Sequence, residues 1–342
     1  MLTQDAPIYW PPPDVAGVSF GYMLSRAVHI CATLGVADRL HQGSKTADEL
    51  ADELGVHGPS LARLLRTLAE FGFFSVHGDR FALNGATVPL CRDAPNSVVD
   101  LVLSTHADWQ VLAWQNALYS IRTGRSALEQ ASGHSLFEHL MKHPAEHAQF
   151  NRAMQAATRD AAPFLLASYS FTQGSHIVDL GGGDGTLLMM ILDANPDCSG
   201  TLFDLKPVID GTPDRSLAEG VASRMAFAAG DLFERVTQGA DYYILKHVLH
   251  DWDDEQARVI LANCRQALPK HGRLLIIESV MRPGIGNRYA RLMDLGLLVL
   301  TAGRERTEEE FTTLCSQGGL KVCRVLHNPS PFSILEVAVA DA

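Results

Sequence analysis

Apolar and polar positions follow two different rhythms along this chain. Up to about residue 170 the apolar residues recur at helical spacing, with no convincing series of buried strands among them. From Gly174 onward, short apolar runs alternate with helical stretches. Strands are predicted at 176–180, 200–204, 224–229, 241–246, 272–280, 320–327 and 332–340, with helices between them, for example at 186–194 and 254–268. Such alternation predicts an α/β domain with a mostly parallel sheet covered on both faces. Asn328-Pro329-Ser330-Pro331 joins the last two strands. It is too short for a crossover helix, so these strands should form an antiparallel hairpin at one edge. The change of rhythm divides the chain into a helical domain, 1–170, and an α/β domain, 171–342.

The helical half contains a unit of its own. Thr46 and Glu49 have the spacing of a capping box, and Gly55 closes the short helix they open. A second helix covers Ser60–Leu68, and the segments Phe73–Val76 and Arg80–Leu83 flank His77-Gly78-Asp79 like a small hairpin. Helix-turn-helix plus hairpin is a winged-helix-like arrangement. It suits either a DNA-binding repressor or a packing and dimerisation module. The second helix carries only Arg63 and Arg66, and Asp48, Glu49, Asp52 and Glu53 precede it, a poor footprint for DNA. Upstream, Tyr22, Met23, Leu24, Val28, Ile30 and Leu34 leave apolar surface on one long helix, which predicts a C₂ homodimer.

Charge narrows the partners. Of 342 residues, 46% are hydrophobic and 20% charged, ordinary for a globular protein, but the net charge is −11. That balance repels nucleic acid and anionic membranes. No uninterrupted apolar run approaches transmembrane length; Leu295–Thr301 is among the longest. Acid and proline near the start (Asp5, Pro11-Pro12-Pro13) do not read as a signal peptide. Six cysteines without C-x-x-C pairs read as reduced, mostly buried thiols of a cytoplasmic protein.

The candidate chemistry sits at strand ends. Strand 176–180 runs into Gly181-Gly182-Gly183-Asp184-Gly185 and then into a helix from Thr186. Strand, glycine turn and helix N-terminus together make a cofactor seat. A dinucleotide fingerprint would need a third glycine where Thr186 stands. Asp204 ends the next strand, about 20 residues on, where a carboxylate can accept from a ribose diol. Asp231 ends the third and can accept from an adenine amino group, with Leu232 and Phe233 as apolar walls. The fourth ends in Lys246-His247-Val248-Leu249-His250-Asp251-Trp252. On its own His250 reads as a histidine opening a helix. His247, His250 and Asp251 also suggest a metal site, but no third histidine or cysteine lies nearby. His139, His143 and His147 have helical spacing, yet Pro144 interrupts them.

The G-x-G-x-G turn resembles motif I of the S-adenosylmethionine (AdoMet) methyltransferases. The segment 246–252 resembles the L-K-x-x-L-H-D-W stretch of the O-methyltransferases that include plant caffeic acid and flavonoid enzymes and bacterial natural-product relatives. The likeness also takes in Phe150–Met154, Asp204, Asp231 and Gly303-Arg304-Glu305-Arg306-Thr307, and so spans nearly the whole chain. It implies a Rossmann-like seven-stranded methyltransferase sheet, an N-terminal dimerisation domain, AdoMet as cofactor and no metal. By it His250 is the general base, Glu278 and Glu305 are its carboxylate partners, and Lys246 contacts the cofactor beside Gly181, Gly183, Asp204, Asp231 and Leu232. The acceptor it implies is a phenolic or related aromatic hydroxyl, and Phe150, Met154 and Trp109 are candidate pocket walls, aromatic ligands favouring Met and aromatic linings. Three departures stand out: Lys206 before Pro207, Leu232 for a common methionine, and Ala156-Ala157 where plant enzymes carry polar residues. The last leaves the acceptor's identity open. Two alternatives remain: an AdoMet-binding decarboxylase or hydroxylase of the same fold, and a winged-helix transcriptional regulator.

Overall fold

A computed structural model describes residues 15–211, 219–282 and 288–340. The acidic, proline-bearing start of the chain lies outside them. The contacts divide the described residues into two compact units, 15–111 with 144–156, and 112–143 with 157–340. This differs from the change of rhythm at residue 170, because part of the helical half packs on the sheet. Ala161, Ala162, Leu165 and Tyr169 share one apolar cluster with Ile177, Leu188 and Ile244. Ser126 Oγ donates to the carbonyl of Leu300 at 2.8 Å.

In the first unit, helices Ala47–Leu54 and Gly58–Glu70 pack beside a three-stranded sheet of β1 (Lys45–Thr46), β2 (Ser75–His77) and β3 (Arg80–Ala82), ordered β1-β3-β2. The hairpin expected from sequence is β2–β3, and β1 adds a strand that two residues cannot announce. Thr46 and Glu49 form the capping box, and Gly55 closes the helix at φ 67°, which favours glycine. Leu50, Leu65, Leu68, Phe74 and Phe81 form the core. Helix Val15–Leu34 lays Leu24, Val28 and Leu34 against it and leaves Tyr22, Met23 and Ile30 exposed. Only half of the expected patch is therefore available to a partner. This helix is also, among the described residues, the one long and apolar enough to cross a membrane by length and composition, although its apolar run is broken by Ser25, Arg26 and His29.

The second unit holds β4 (His176–Leu180), β5 (Ser199–Asp204), β6 (Met225–Ala229), β7 (Tyr242–Lys246), β8 (Arg273–Glu278), β9 (Leu320–Leu326) and β10 (Ser333–Val339). Their order is β6-β5-β4-β7-β8-β10-β9. The first five are parallel, and β10 runs antiparallel to both β8 and β9. Period-2 alternation makes both faces apolar. Val178, Leu180, Leu274 and Ile276 face helices Asp254–Ala267 and Glu308–Gln317, whereas Ile177, Leu275 and Ile277 face helix Thr186–Ala194. From β4 the chain first winds outward to β5 and β6, then returns to place β7 on the other flank of β4. The strand order thus reverses between β4 and β7, where α/β sheets open a ligand crevice at their carboxyl ends.

Candidate active site

The glycine turn caps β4 at that crevice. Gly181, Gly183 and Gly185 have φ of 66°, 61° and 78°. At Gly182 the constraint is space: a Cβ there would lie 2.5 Å from Leu202 Cδ1 and 2.6 Å from Asp179 Oδ2. Asp204 braces the turn from the end of β5. Its Oδ2 accepts from Gly183 N at 2.8 Å and its Oδ1 from Leu205 N at 2.7 Å. Burial raises its pKa, against those two bonds. Each oxygen keeps a lone pair, so a diol can be bound as well. Asp231 Oδ1 accepts from Phe233 N at 2.8 Å, and Asn263 holds the Leu232 carbonyl at 2.8 Å. Lys246, at the end of β7, donates to Thr158 Oγ1 at 3.2 Å. Burial lowers its pKa to about 8, opposed by Asp179, Glu278 and Asp184. Asp179 itself is pushed up to about 7 by burial, countered by Lys246.

Beyond Lys246 the chain turns sharply. His247 adopts φ 54°, and Leu249–Asp251 form a single 3₁₀ turn carrying His250. Strand β8 ends in Glu278 beside it, since Lys246 is in register with Ile277. Glu278 Oε1 accepts from Val248 N and Leu249 N, both at 3.1 Å, and its Oε2 lies 3.4 Å from His250 Nδ1. Nδ1 donates to Glu305 Oε1 at 3.3 Å. Asp251 Oδ1 is 3.9 Å from Nε2. Burial pulls the imidazole pKa down, but Glu278, Asp251 and Glu305 together outweigh it and raise it to about 10. Burial lifts Glu278 to about 7 and Asp251 to about 6, each against the pull of His250. The cluster can hold a proton on the imidazole, with Nδ1 committed to carboxylates and Nε2 turned to other work.

Residues 114–321 match the O-methyltransferase domain, and residues 17–88 match the O-methyltransferase dimerisation domain. The chain belongs to the O-methyltransferase family. It is 36% identical to phenazine O-methyltransferase PhzM of Lysobacter antibioticus over 92% of this chain and 93% of that protein. It is 37% identical to the mitomycin biosynthesis 6-O-methyltransferase of Streptomyces lavendulae, over 93% of this chain and 91% of that one. A crystal structure of the O-methyltransferase NcsB1 from neocarzinostatin biosynthesis, in complex with S-adenosylmethionine and 2-hydroxy-5-methyl naphthoic acid, superposes with a TM-score of 0.78 at 34% identity, covering 92% of this chain and 95% of that one. The cofactor of this O-methyltransferase is AdoMet. The glycine cradle and the spare acceptor capacity of Asp204 fit that molecule. The regulator reading falls, because the winged-helix-like region lies within the dimerisation domain.

In this O-methyltransferase, Gly181, Leu232 and the turn that carries His250 converge: a Cβ on Gly181 would lie 3.1 Å from Val248 Cγ2 and 3.6 Å from Leu232 Cδ1. His250, Glu278 and Glu305 come together, and one ligand atom from each falls within 4.8 Å of the others. His247 and His250 do not share a helix, because His247 adopts φ 54° and the 3₁₀ turn begins only at Leu249. The His247 ring stacks on His250 at 5.1 Å and meets Phe332 edge-on. Trp109, Phe150 and Met154 belong to the other unit. Trp109 is 3% exposed and meets Phe150 edge-on at 6.3 Å, whereas Met154 is 37% exposed. His139 and His143 stack at 4.1 Å, with His147 on the helix that Pro144 begins. Sequence reasoning missed Asp179, Thr158 and Asp294, whose Oδ1 accepts from Glu305 N at 2.9 Å. Asp179 was the findable one, as a lone acid inside the apolar strand before the glycines.

Proposed function

We propose that this enzyme methylates a phenolic hydroxyl of a small aromatic natural product, with His250 as general base. The observation that carries the reading is His250 Nδ1 between two buried carboxylates, at 3.3 and 3.4 Å, beside the glycine turn. AdoMet, when bound, supplies a sulfonium methyl as electrophile. Nε2 takes the hydroxyl proton as the acceptor oxygen attacks, and Glu278 and Glu305 stabilise the imidazolium that results. A phenol titrates near 10, close to the raised imidazolium, so the proton passes between groups of similar basicity. An aliphatic alcohol is far less acidic and would be poorly matched. Gly181, Gly183, Asp204, Asp231, Leu232 and Lys246 bind the cofactor in this reading. Phe150, Met154 and Trp109 are the candidate acceptor contacts in this reading, with Trp109 meeting Phe150 edge-on.

The working form we infer is a cytoplasmic homodimer that binds neither nucleic acid nor membrane, supported by the dimerisation domain and the net charge of −11. No metal takes part. The test is a radiolabelled-AdoMet assay against small phenols, with products identified and a chelator in a parallel arm. His250→Ala should lower turnover roughly 10²–10⁴-fold while AdoMet still binds. Near wild-type turnover would remove His250 from the base role, N- or C-methylation as the main product would remove the phenol, and chelator inhibition reversed by a divalent ion would restore the metal.

A further inference from the structure

The segment that delivers Glu305 also grips the backbone of the base turn. Arg306 is only 1% exposed, a charged side chain placed inside the protein. Its Nη1 donates to the Leu249 carbonyl at 2.8 Å and its Nη2 to the Trp252 carbonyl at 2.8 Å. These two carbonyls bracket His250. Nε and Nη2 donate to Asp254 Oδ1 at 2.9 and 2.8 Å, so a carboxylate fixes the guanidinium from the far side. Between these bonds, Arg304 N donates to the His250 carbonyl itself at 2.8 Å. Gly303 allows that approach, since a Cβ there would overlap the same carbonyl oxygen. Among the described residues, the two non-glycine positions with left-handed backbone are His247 at φ 54° and Ala302 at φ 63°. They lie in the two segments that meet here, and such strained conformations persist only where surrounding contacts over-determine them.

We propose that Arg306 is a positioning residue for the methyl transfer, locking the Leu249–Trp252 turn so that His250 Nδ1 stays registered on Glu278 and Glu305. This rests on the base reading of His250. The guanidinium touches neither cofactor nor acceptor in this assignment; it acts through the turn. One segment, 303–306, therefore both contacts the backbone of His250 and supplies one of the imidazole's two carboxylate partners. An arginine suits this place because its planar fork reaches two carbonyls and a carboxylate at once, which a lysine ammonium on a flexible stem does not. The groups facing His250 are Asp251 on its own turn, Glu278 from β8, Glu305 from the 303–306 segment and the stacked ring of His247.

Three variants test this. In Arg306→Lys the turn should drift, and kcat should fall by about 10²-fold, the order expected for misplacement by about 1 Å. The KM for AdoMet should stay put, and the acid limb of the kcat–pH profile should move down toward ordinary histidine, because misregistered carboxylates hold the imidazolium less well. Asp254→Asn should give the same shifts in smaller measure; its side chain is half-exposed, so it serves if the lysine variant does not fold. Wild-type pH limbs with unchanged kcat in Asp254→Asn, or losses that follow AdoMet KM alone, overturn the proposal. His250→Ala separates the two claims. If it keeps full turnover, the base reading fails on its own; if it is inactive while the other two variants keep wild-type limbs, only the role of Arg306 fails.

Discussion

As the proposed base, His250 acts only when neutral, yet its surroundings favour the charged form. Burial disfavours imidazolium, but three acidic neighbours prevail and raise its pKa. The rate should therefore climb with pH and reach its plateau later than a free histidine would allow. Removing one negative charge reverses part of that shift. Glu305→Gln should move the acid limb of kcat to lower pH and lower the plateau, because the weaker base is also less well oriented; a limb that stays or moves up would separate Glu305 from His250. Asp204 carries a different burden. Asp204→Ala should weaken AdoMet binding by about 1–3 kcal/mol, since an acceptor is lost and Gly183 N and Leu205 N are left without theirs. Calorimetry showing the wild-type Kd would remove it from the cofactor site. Asp204 could be placed from sequence because a strand end locates it, whereas His250 is singled out by the family resemblance, its local sequence reading only as a histidine opening a helix. Arg306 could not: as a sequence letter it is one more surface cation, and only three-dimensional contact shows which carbonyls it reaches.

Elements were legible where one signal fixed each end. Helix 186–194 starts after the glycines and stops where expected, and the Thr46 capping box closes with both of its bonds. Strand limits move by one or two residues, and β1 was invisible because its two residues are specified only by pairing with β3. The glycine turn itself has little tolerance. In Gly182→Ala the new methyl must displace Leu202 or the Asp179 carboxylate, neither the free end of a surface side chain. We expect a loss of about 1–3 kcal/mol in unfolding stability, together with weaker AdoMet binding. A variant with the parent's melting curve and affinity would show that the turn relaxes freely.

At the scale of the molecule, the boundary at residue 170 followed a change in local rhythm, whereas contact follows what packs on the sheet. Apolar periodicity says that a helix buries one face; it does not say against which domain. The same limit applies to helix Val15–Leu34, whose residues divide between the unit's own core and solvent. The exposed side, with Phe20, Tyr22 and Met23, is the part left for a partner. Light scattering should give a dimer of the 37.2 kDa chain at micromolar concentration, and Met23→Glu should weaken it by placing a charge in an apolar contact. A monomeric parent protein would remove the homodimer.

The position of β10 bears on how the enzyme comes to exist in a cell. It follows every other strand along the chain, yet it lies between β8 and β9 and pairs with both. A ribosome making this chain finishes the glycine turn, the His250 turn and Glu305 well before the strand that joins β9 to the sheet. Until then β8 has an open edge, and β9 has no place in the sheet. Glu278, at the tip of β8 and in register with Ser333, therefore gains its final neighbour only with the last strand. Competence for methyl transfer should therefore wait for β10, with the nascent chain's unpaired edges exposed to misassembly until it is made.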